Sequence, residues 1–202
     1  MGQRSYRSIG VRCRGQAALF EGVLSDPGPG QILVQTLATG LSAGTELSLL
    51  KGTDPHHRVG FDPELRVFDA LAPTAGYPIP AMGYMEVARV AQSRADGFAT
   101  GQVVAMAYGH RTAHVADPGQ ETVVAVPSGL DPLLGVYVAQ MGPICANALL
   151  HATAEFAGPD GDALGAGVRD RHVLITGAGA VGLLTALFAR QHGAADVAVA
   201  DP

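Results

Sequence analysis

A chain of 202 residues that is 48% hydrophobic and 15% charged carries enough apolar material for a buried core in one large domain or two small ones. The net charge of −5, with no run of Lys or Arg, excludes the basic stripe that nucleic-acid binding demands and leaves a small molecule as the expected ligand. Cys13 and Cys145 are too few and too far apart for a disulfide framework or a four-cysteine zinc lobe, and both are expected to be reduced.

The opening "MGQRSYRSIGVRCRG" holds arginines but reaches no apolar core segment, so a secretion signal is not predicted and the cytoplasm is the expected location. The stretches "SIGVRCR", "QAALFEGV", "QILVQTLAT", "MEVARVAQ", "QVVAMAY" and "ETVVAVP" are short, rich in β-branched residues and separated by turn clusters such as "SDPGPG" and "RADGFATG". They predict a β-barrel or sandwich over roughly the first 127 residues. Within "MEVARV", alternation sends Glu86 and Arg89 to opposite sides of a strand, so one charge faces the interior or an interface. Residues 51–78, with two Asp-Pro pairs and paired histidines, are longer than a simple connector and read either as a lid over a pocket or as a surface excursion; in a lid, Arg58 and Arg66 hint at an anionic substrate.

After "PSGLDP" the texture becomes helical, with Asp131 as a cap and Pro132 in the first turn. "LLGVYVAQM" and "CANALLHATAEF" read as apolar helices, and "AGPDGDALGAGVRDR" as a connector. A domain boundary is expected near residue 150, giving units 1–150 and 151–202. The most apolar window, "AVGLLTALFA", is about half the length needed to cross a bilayer and predicts a buried helix, with no membrane role.

The closing segment carries the strongest motif. Val173 to Thr176 reads as a buried strand, Gly177, Gly179 and Gly182 give G-A-G-A-V-G, and Leu183 to Gln191 continue as a helix. In such a turn Gly177 permits the bend, Gly179 admits a pyrophosphate to the backbone, and Gly182 lets helix and strand pack, while Ala180 and Val181 offer free N–H groups at a helix start. A second strand, "DVAVA", ends at Asp201, where a carboxylate accepts hydrogen bonds from an adenosine ribose and repels a 2′-phosphate. A lone G-x-G-x-x-G is weak evidence, but strand, helix, second strand and acid agree here, and NAD is favoured over NADP.

A barrel followed by a Rossmann unit resembles the medium-chain dehydrogenase/reductase superfamily, which contains the zinc alcohol dehydrogenases. "PGPGQILVQTLATGLSAGTE" resembles its opening strands and active-site loop, "MGYMEVARV" its G-H-E-x-x-G-x-V segment, and "GAGAVGLLTALFARQHGAADVAVAD" its coenzyme segment. The resemblance covers nearly the whole chain and implies an overall α/β fold: a GroES-like β-barrel followed by an incomplete, parallel, doubly wound Rossmann unit. Family chains run on well beyond this point, so this one is expected to be the amino-terminal part of such an enzyme and to form a homodimer when complete. Two parallel strands with few helices leave apolar faces uncovered, which predicts self-association.

Zinc members place Cys, His and Glu at the positions matching Ser42, Tyr84 and Met85. A hydroxyl, a phenol and a thioether make a poor zinc site, so the resemblance implies a reaction without catalytic zinc. "GLSAGTE" and "GYMEVARV" are more similar to the branch with bacteriochlorophyllide hydroxyethyl dehydrogenases. Tyr84 is the preferred acid, with Glu46, Thr45 and Ser42 as further catalytic candidates on the loop that carries the family's proton relay. Against that stand plainer roles: Glu46 capping a helix from Leu47, Thr45 satisfying the loop backbone, Tyr84 an ordinary barrel residue. Cys145 lies near the place of the last zinc ligand but reads as a buried thiol, and His110 and His114, four apart, read as structural or pocket-edge residues ahead of a metal pair. The expected activity is hydride transfer between NAD(H) and a secondary alcohol or ketone. Alternatives are a zinc-free enone or quinone reductase and a non-catalytic binding module.

Overall fold

Short β-branched segments between Gly and Pro turns become strands. The computed structural model describes residues 4–70, 76–157 and 164–201. Expectations that fall on 71–75, inside the lid segment, and on 158–163, inside the connector, lie outside the described residues. The chain forms two units, Met1–Ala139 and Gln140–Pro202. The second includes the helix "CANALLHATAEF", which the boundary expected near 150 divides in half.

In the first unit β1 (Arg4–Cys13) and β2 (Gln16–Leu24) form an antiparallel hairpin. β3 (Ile32–Thr39) leads to α1 (Ala43–Lys51), and β4 (Gly60–Asp62) and β5 (Val67–Asp69) pair as a small hairpin inside the expected lid segment. β6 (Glu86–Ser93), β7 (Val103–Met106), β8 (Ala113–Ala116) and β9 (Val123–Ala125) follow. Five of these strands make one antiparallel sheet in the order β8-β3-β6-β7-β9, joined to β1 by the bridge Ser8–Arg111. The mixed α/β class, with antiparallel strands preceding a parallel pair, agrees with the sequence expectation.

Strand alternation builds the core. Ile32, Val34, Ala88, Val90, Val104, Met106 and Ala116 pack on one face of the sheet, while Val87 and Ala105 pack with Val126 and Ala139 on the other. Burial on both faces explains the short apolar runs Ile32–Val34 in β3 and Val103–Met106 in β7, each fully buried Val or Ile contributing about 1.5–3 kcal/mol. The six strands read from the sequence correspond to β1, β2, β3, β6, β7 and β9. β4, β5 and β8 escaped because three or four residues with Asp or His among them carry little periodic signal.

Asp131 accepts a hydrogen bond from the Leu133 N–H at 2.9 Å, so the cap with Pro132 behind it is as read. The element it starts is a short 3₁₀-helix, Pro132–Tyr137, rather than an α-helix. Gly135 explains the tight turn: a Cβ there would stand 2.8 Å from a Val87 methyl, so the turn presses its backbone onto the sheet.

Of the charged pair in β6, Glu86 is the inward member, fully buried, and Arg89 faces solvent and donates to the Gly101 carbonyl at 2.9 Å. The Thr36 hydroxyl donates to one Glu86 oxygen, and the other has no partner. Burial pushes the Glu86 carboxyl up to about 7, against the opposing pull of the Thr36 bond and the Arg111 charge.

In the second unit α2 (Met141–Ala157) packs on α3 (Ala180–Gln191), and α3 connects β10 (His172–Thr176) to β11 (Asp196–Ala200). β10 and β11 are parallel and in register from His172–Asp196 to Thr176–Ala200, the βαβ connection read from the sequence. Leu174 is 68% exposed and Leu183, Leu187 and Val199 are also exposed, leaving apolar surface on both strands and on the helix. Among the described residues no helix is long and apolar enough to cross a membrane.

Candidate functional site

The loop after β3 brings the catalytic candidates together. Ser42 is the N-cap of α1 in extended conformation, yet its hydroxyl caps nothing. Glu46, one turn into the helix, instead turns back, and its Oε1 accepts the Ser42 backbone N–H at 3.3 Å. The helix therefore starts at Ala43, and Glu46 serves its first turn from inside rather than capping a helix from Leu47.

Ser42 Oγ lies 3.5 Å from Thr45 Oγ1, which lies 3.4 Å from the Tyr84 hydroxyl. These distances are at the outer limit of hydrogen bonding, so the three hydroxyls keep most of their capacity for a ligand oxygen. Met85, next to Tyr84, is buried and packs its thioether against Gly40.

Beneath this cluster is a pair the sequence reading missed. Glu46 is 2% exposed and its Oε2 meets His110 Nε2 at 3.0 Å, while His110 Nδ1 meets Thr39 Oγ1 at 2.7 Å. His110 is held in place by its own N–H, which donates to the Met82 carbonyl at 2.8 Å. Gly83, the residue before Tyr84, has φ +96°, and a Cβ on it would lie 2.9 Å from the His110 ring. Only glycine lets the segment leading to Tyr84 approach that histidine. Nothing periodic pairs Glu46 with His110; Gly109 beside His110 and Gly83 beside Tyr84 are the one sequence clue to a close approach there.

His110 and His114 do not share a site. His114 bonds Glu121 at 3.0 Å and stacks on Tyr108 at 3.6 Å between centroids; burial lowers its pKa, opposed by Glu121. Among the described residues no three His, Cys, Asp or Glu side chains gather as a metal centre. Cys145 is buried in α2 and its thiol points at the Val181 carbonyl at 3.5 Å.

The second unit holds the coenzyme candidates. Gly177 has φ +96° and its N–H donates to the Ala200 carbonyl at 2.7 Å, tying the end of β10 to the end of β11. A Cβ on Gly182 would stand 1.9 Å from the Gly177 carbonyl oxygen, so the helix packs on the turn only because that side chain is missing. Gly177 and Gly179 face open space, where a ligand can reach the backbone. Gly179 is the N-cap of α3 and brings no side chain to its free N–H groups, so Ala180 and Val181 begin the helix uncapped, as an anion site requires. Asp201 is exposed and does more than was read for it: its Oδ1 accepts the Ala178 N–H at 3.1 Å.

No protein-family profile and no curated protein matches this sequence. Solved structures do. A zinc-binding dehydrogenase of Sinorhizobium meliloti 1021 bound to NADP is 19% identical with a TM-score of 0.62, over 97% of this chain and 56% of that one. Galactitol-1-phosphate dehydrogenase of Escherichia coli is 19% identical with a TM-score of 0.64, over 96% and 55%. The quinone oxidoreductase of Coxiella burnetii is 16% identical with a TM-score of 0.63, over 98% and 56%. The chain thus spans little more than half the length of these structures, and what it shares with them is the fold, a GroES-like unit followed by the first part of a Rossmann unit.

Proposed function

We propose that this chain provides the substrate-binding unit and the first dinucleotide-binding unit of an NAD-dependent oxidoreductase acting on a secondary alcohol or ketone. The observation that carries the reading is the βαβ clasp, with Gly182 closed on Gly177, an uncapped α3 start and Asp201 at the end of β11. When bound, the nicotinamide supplies or accepts a hydride at C4. The N–H groups of Gly179, Ala180 and Val181, with the positive end of α3, receive the pyrophosphate, the Gly177 and Ala178 N–H groups being held by Ala200 and Asp201. The free oxygen of Asp201 accepts from the ribose hydroxyls, and its charge repels a 2′-phosphate.

In the first unit, Tyr84 donates a hydrogen bond to the substrate oxygen and carries the proton that the carbonyl gains or the alcohol loses. Thr45 positions the phenol at 3.4 Å, and Ser42 offers a second hydroxyl. Glu46 holds the loop rather than reacting, since its two oxygens are taken by the Ser42 N–H and by His110. Zinc does not fit this set: two neutral hydroxyls flank the site, and the thioether of Met85 is spent on packing. No step is therefore assigned to a metal.

Titration of the 202-residue chain with NADH and NADPH, followed by nicotinamide fluorescence, tests the reading. Saturable NADH binding with at least about tenfold weaker NADPH binding is expected. Absent binding, or equal affinity, overturns it. The neutral hydroxyl donors also suit reduction of an enone or quinone, the class of one structural neighbour. A product assay comparing ketone with alkene reduction separates the two.

A further inference from the structure

Apart from the hydroxyl cluster, the first unit holds a second concavity. A cavity of about 280 Å³ has Ile9 of β1 and Leu19 of β2 as apolar walls, and Thr39 and His110 contribute to its lining. Arg7, Arg111 and Thr112 supply its donors. The Arg111 guanidinium carbon sits over the rings of Tyr6 and Tyr108, 5.3 and 4.8 Å from their centroids, so two aromatic rings hold the guanidinium in place. Its Nε is buried with no acceptor.

Among the described residues neither Arg7 nor Arg111 closes onto a carboxylate. That includes Glu21, which stands directly opposite Arg7 in the β1–β2 register. The Thr112 hydroxyl oxygen accepts the Arg7 backbone N–H at 3.0 Å, which leaves its own proton to donate. Two arginines and a hydroxyl donor around a half-apolar cavity, with a buried donor lacking any acceptor, form an anion site of low capacity.

We propose that this cavity binds a small carboxylate with a short apolar body, its carboxyl group held by the edges of Arg7 and Arg111 and by Thr112, its body between Ile9 and Leu19. The volume is at the low end of small-molecule sites, enough for a few carbon atoms. An arginine edge matches the planar carboxylate in two parallel hydrogen bonds, and the apolar walls give free phosphate nothing to contact. The site is built from residues of the first unit alone and does not rest on the proposed oxidoreductase activity. Its shared wall with the Glu46–His110 pair makes the His110 ring a reporter of occupancy.

The test is a titration of the 202-residue chain with sodium butyrate, read by NMR on the His110 ring and the Thr112 amide, with butan-1-ol and inorganic phosphate in parallel. Butyrate is expected to give saturable shifts, butan-1-ol none, and phosphate weaker binding than butyrate. Arg111→Gln is expected to abolish the shifts. Because Arg111 packs between two rings, Arg7→Gln and Leu19→Glu serve as second variants; both positions are solvent-exposed, and each substitution is expected to weaken butyrate by about tenfold through lost or opposed charge. Butyrate shifts unchanged in Arg7→Gln and Leu19→Glu, no saturable shift at all, or phosphate binding tighter than butyrate would each overturn the assignment.

Discussion

Tyr84 and Thr45 hold their hydroxyls 3.4 Å apart, near enough to orient one another and too far to satisfy one another. A phenol with unspent hydrogen-bonding capacity is what proton transfer to a substrate oxygen needs. On the proposed reading, Tyr84→Phe is therefore expected to lower the kcat of the complete oxidoreductase by about 10²–10⁴-fold with NADH affinity unchanged; steady-state rates and a coenzyme titration check this, and a rate within a factor of about three of the parent removes Tyr84 from the chemistry. Glu86 shows the opposite arrangement, a buried acid with one oxygen bonded and one orphaned. Its carboxyl is raised from 4.5 to about 7 in the folded chain, so the folded state holds the proton more tightly than the unfolded one. The stability this confers is complete below about pH 4.5 and is lost as pH rises toward 7, by on the order of 2–3 kcal/mol. Glu86→Gln keeps an acceptor for Thr36 and removes the charge. Unfolding free energies from urea curves are expected to rise at pH 8, by about 1–2 kcal/mol, and to change little at pH 5; equal changes at both pH values would sink this account.

At the scale of elements, the clasp between β10 and α3 depends on a missing side chain. Gly182→Ala places a methyl against the Gly177 carbonyl, so helix and strand must part, at a cost of about 1–3 kcal/mol in the second unit and at least about tenfold in NADH affinity. Denaturation curves and fluorescence titration measure the two losses; an unchanged affinity would show that the turn does not seat the coenzyme. This clasp was the most legible part of the sequence, because each glycine answers to a local requirement within a few residues. The central strands were legible for a similar reason, their burial on both faces leaving apolar runs between turn residues. What stayed hidden was set by contacts distant along the chain: β8 is fixed by pairing with β3, the turn after Asp131 by pressure from Val87, and the Glu46–His110 pair by a meeting of residues 64 apart in sequence. Local period and propensity carry no record of such meetings.

At the scale of the whole molecule, the exposed apolar side chains on β10, β11 and α3 set solution behaviour. Leu174, Leu183 and Leu187 each expose more than half of their surface. Clusters of this kind drive association, and the chain is expected to form dimers or larger species at micromolar concentration that dissociate when Leu174→Lys and Leu187→Glu are combined. Sedimentation velocity across a dilution series checks this, and a parent chain that stays monomeric throughout would refute it.

Asp201 joins two duties in one side chain, since the carboxylate proposed to choose the coenzyme also pins the Ala178 amide of the phosphate turn. Anyone re-engineering the chain to accept the phosphorylated dinucleotide by removing that acid would loosen the loop in the same stroke. A successful switch therefore calls for a neutral acceptor such as asparagine at 201, with the cationic partner for the extra phosphate supplied from a different position.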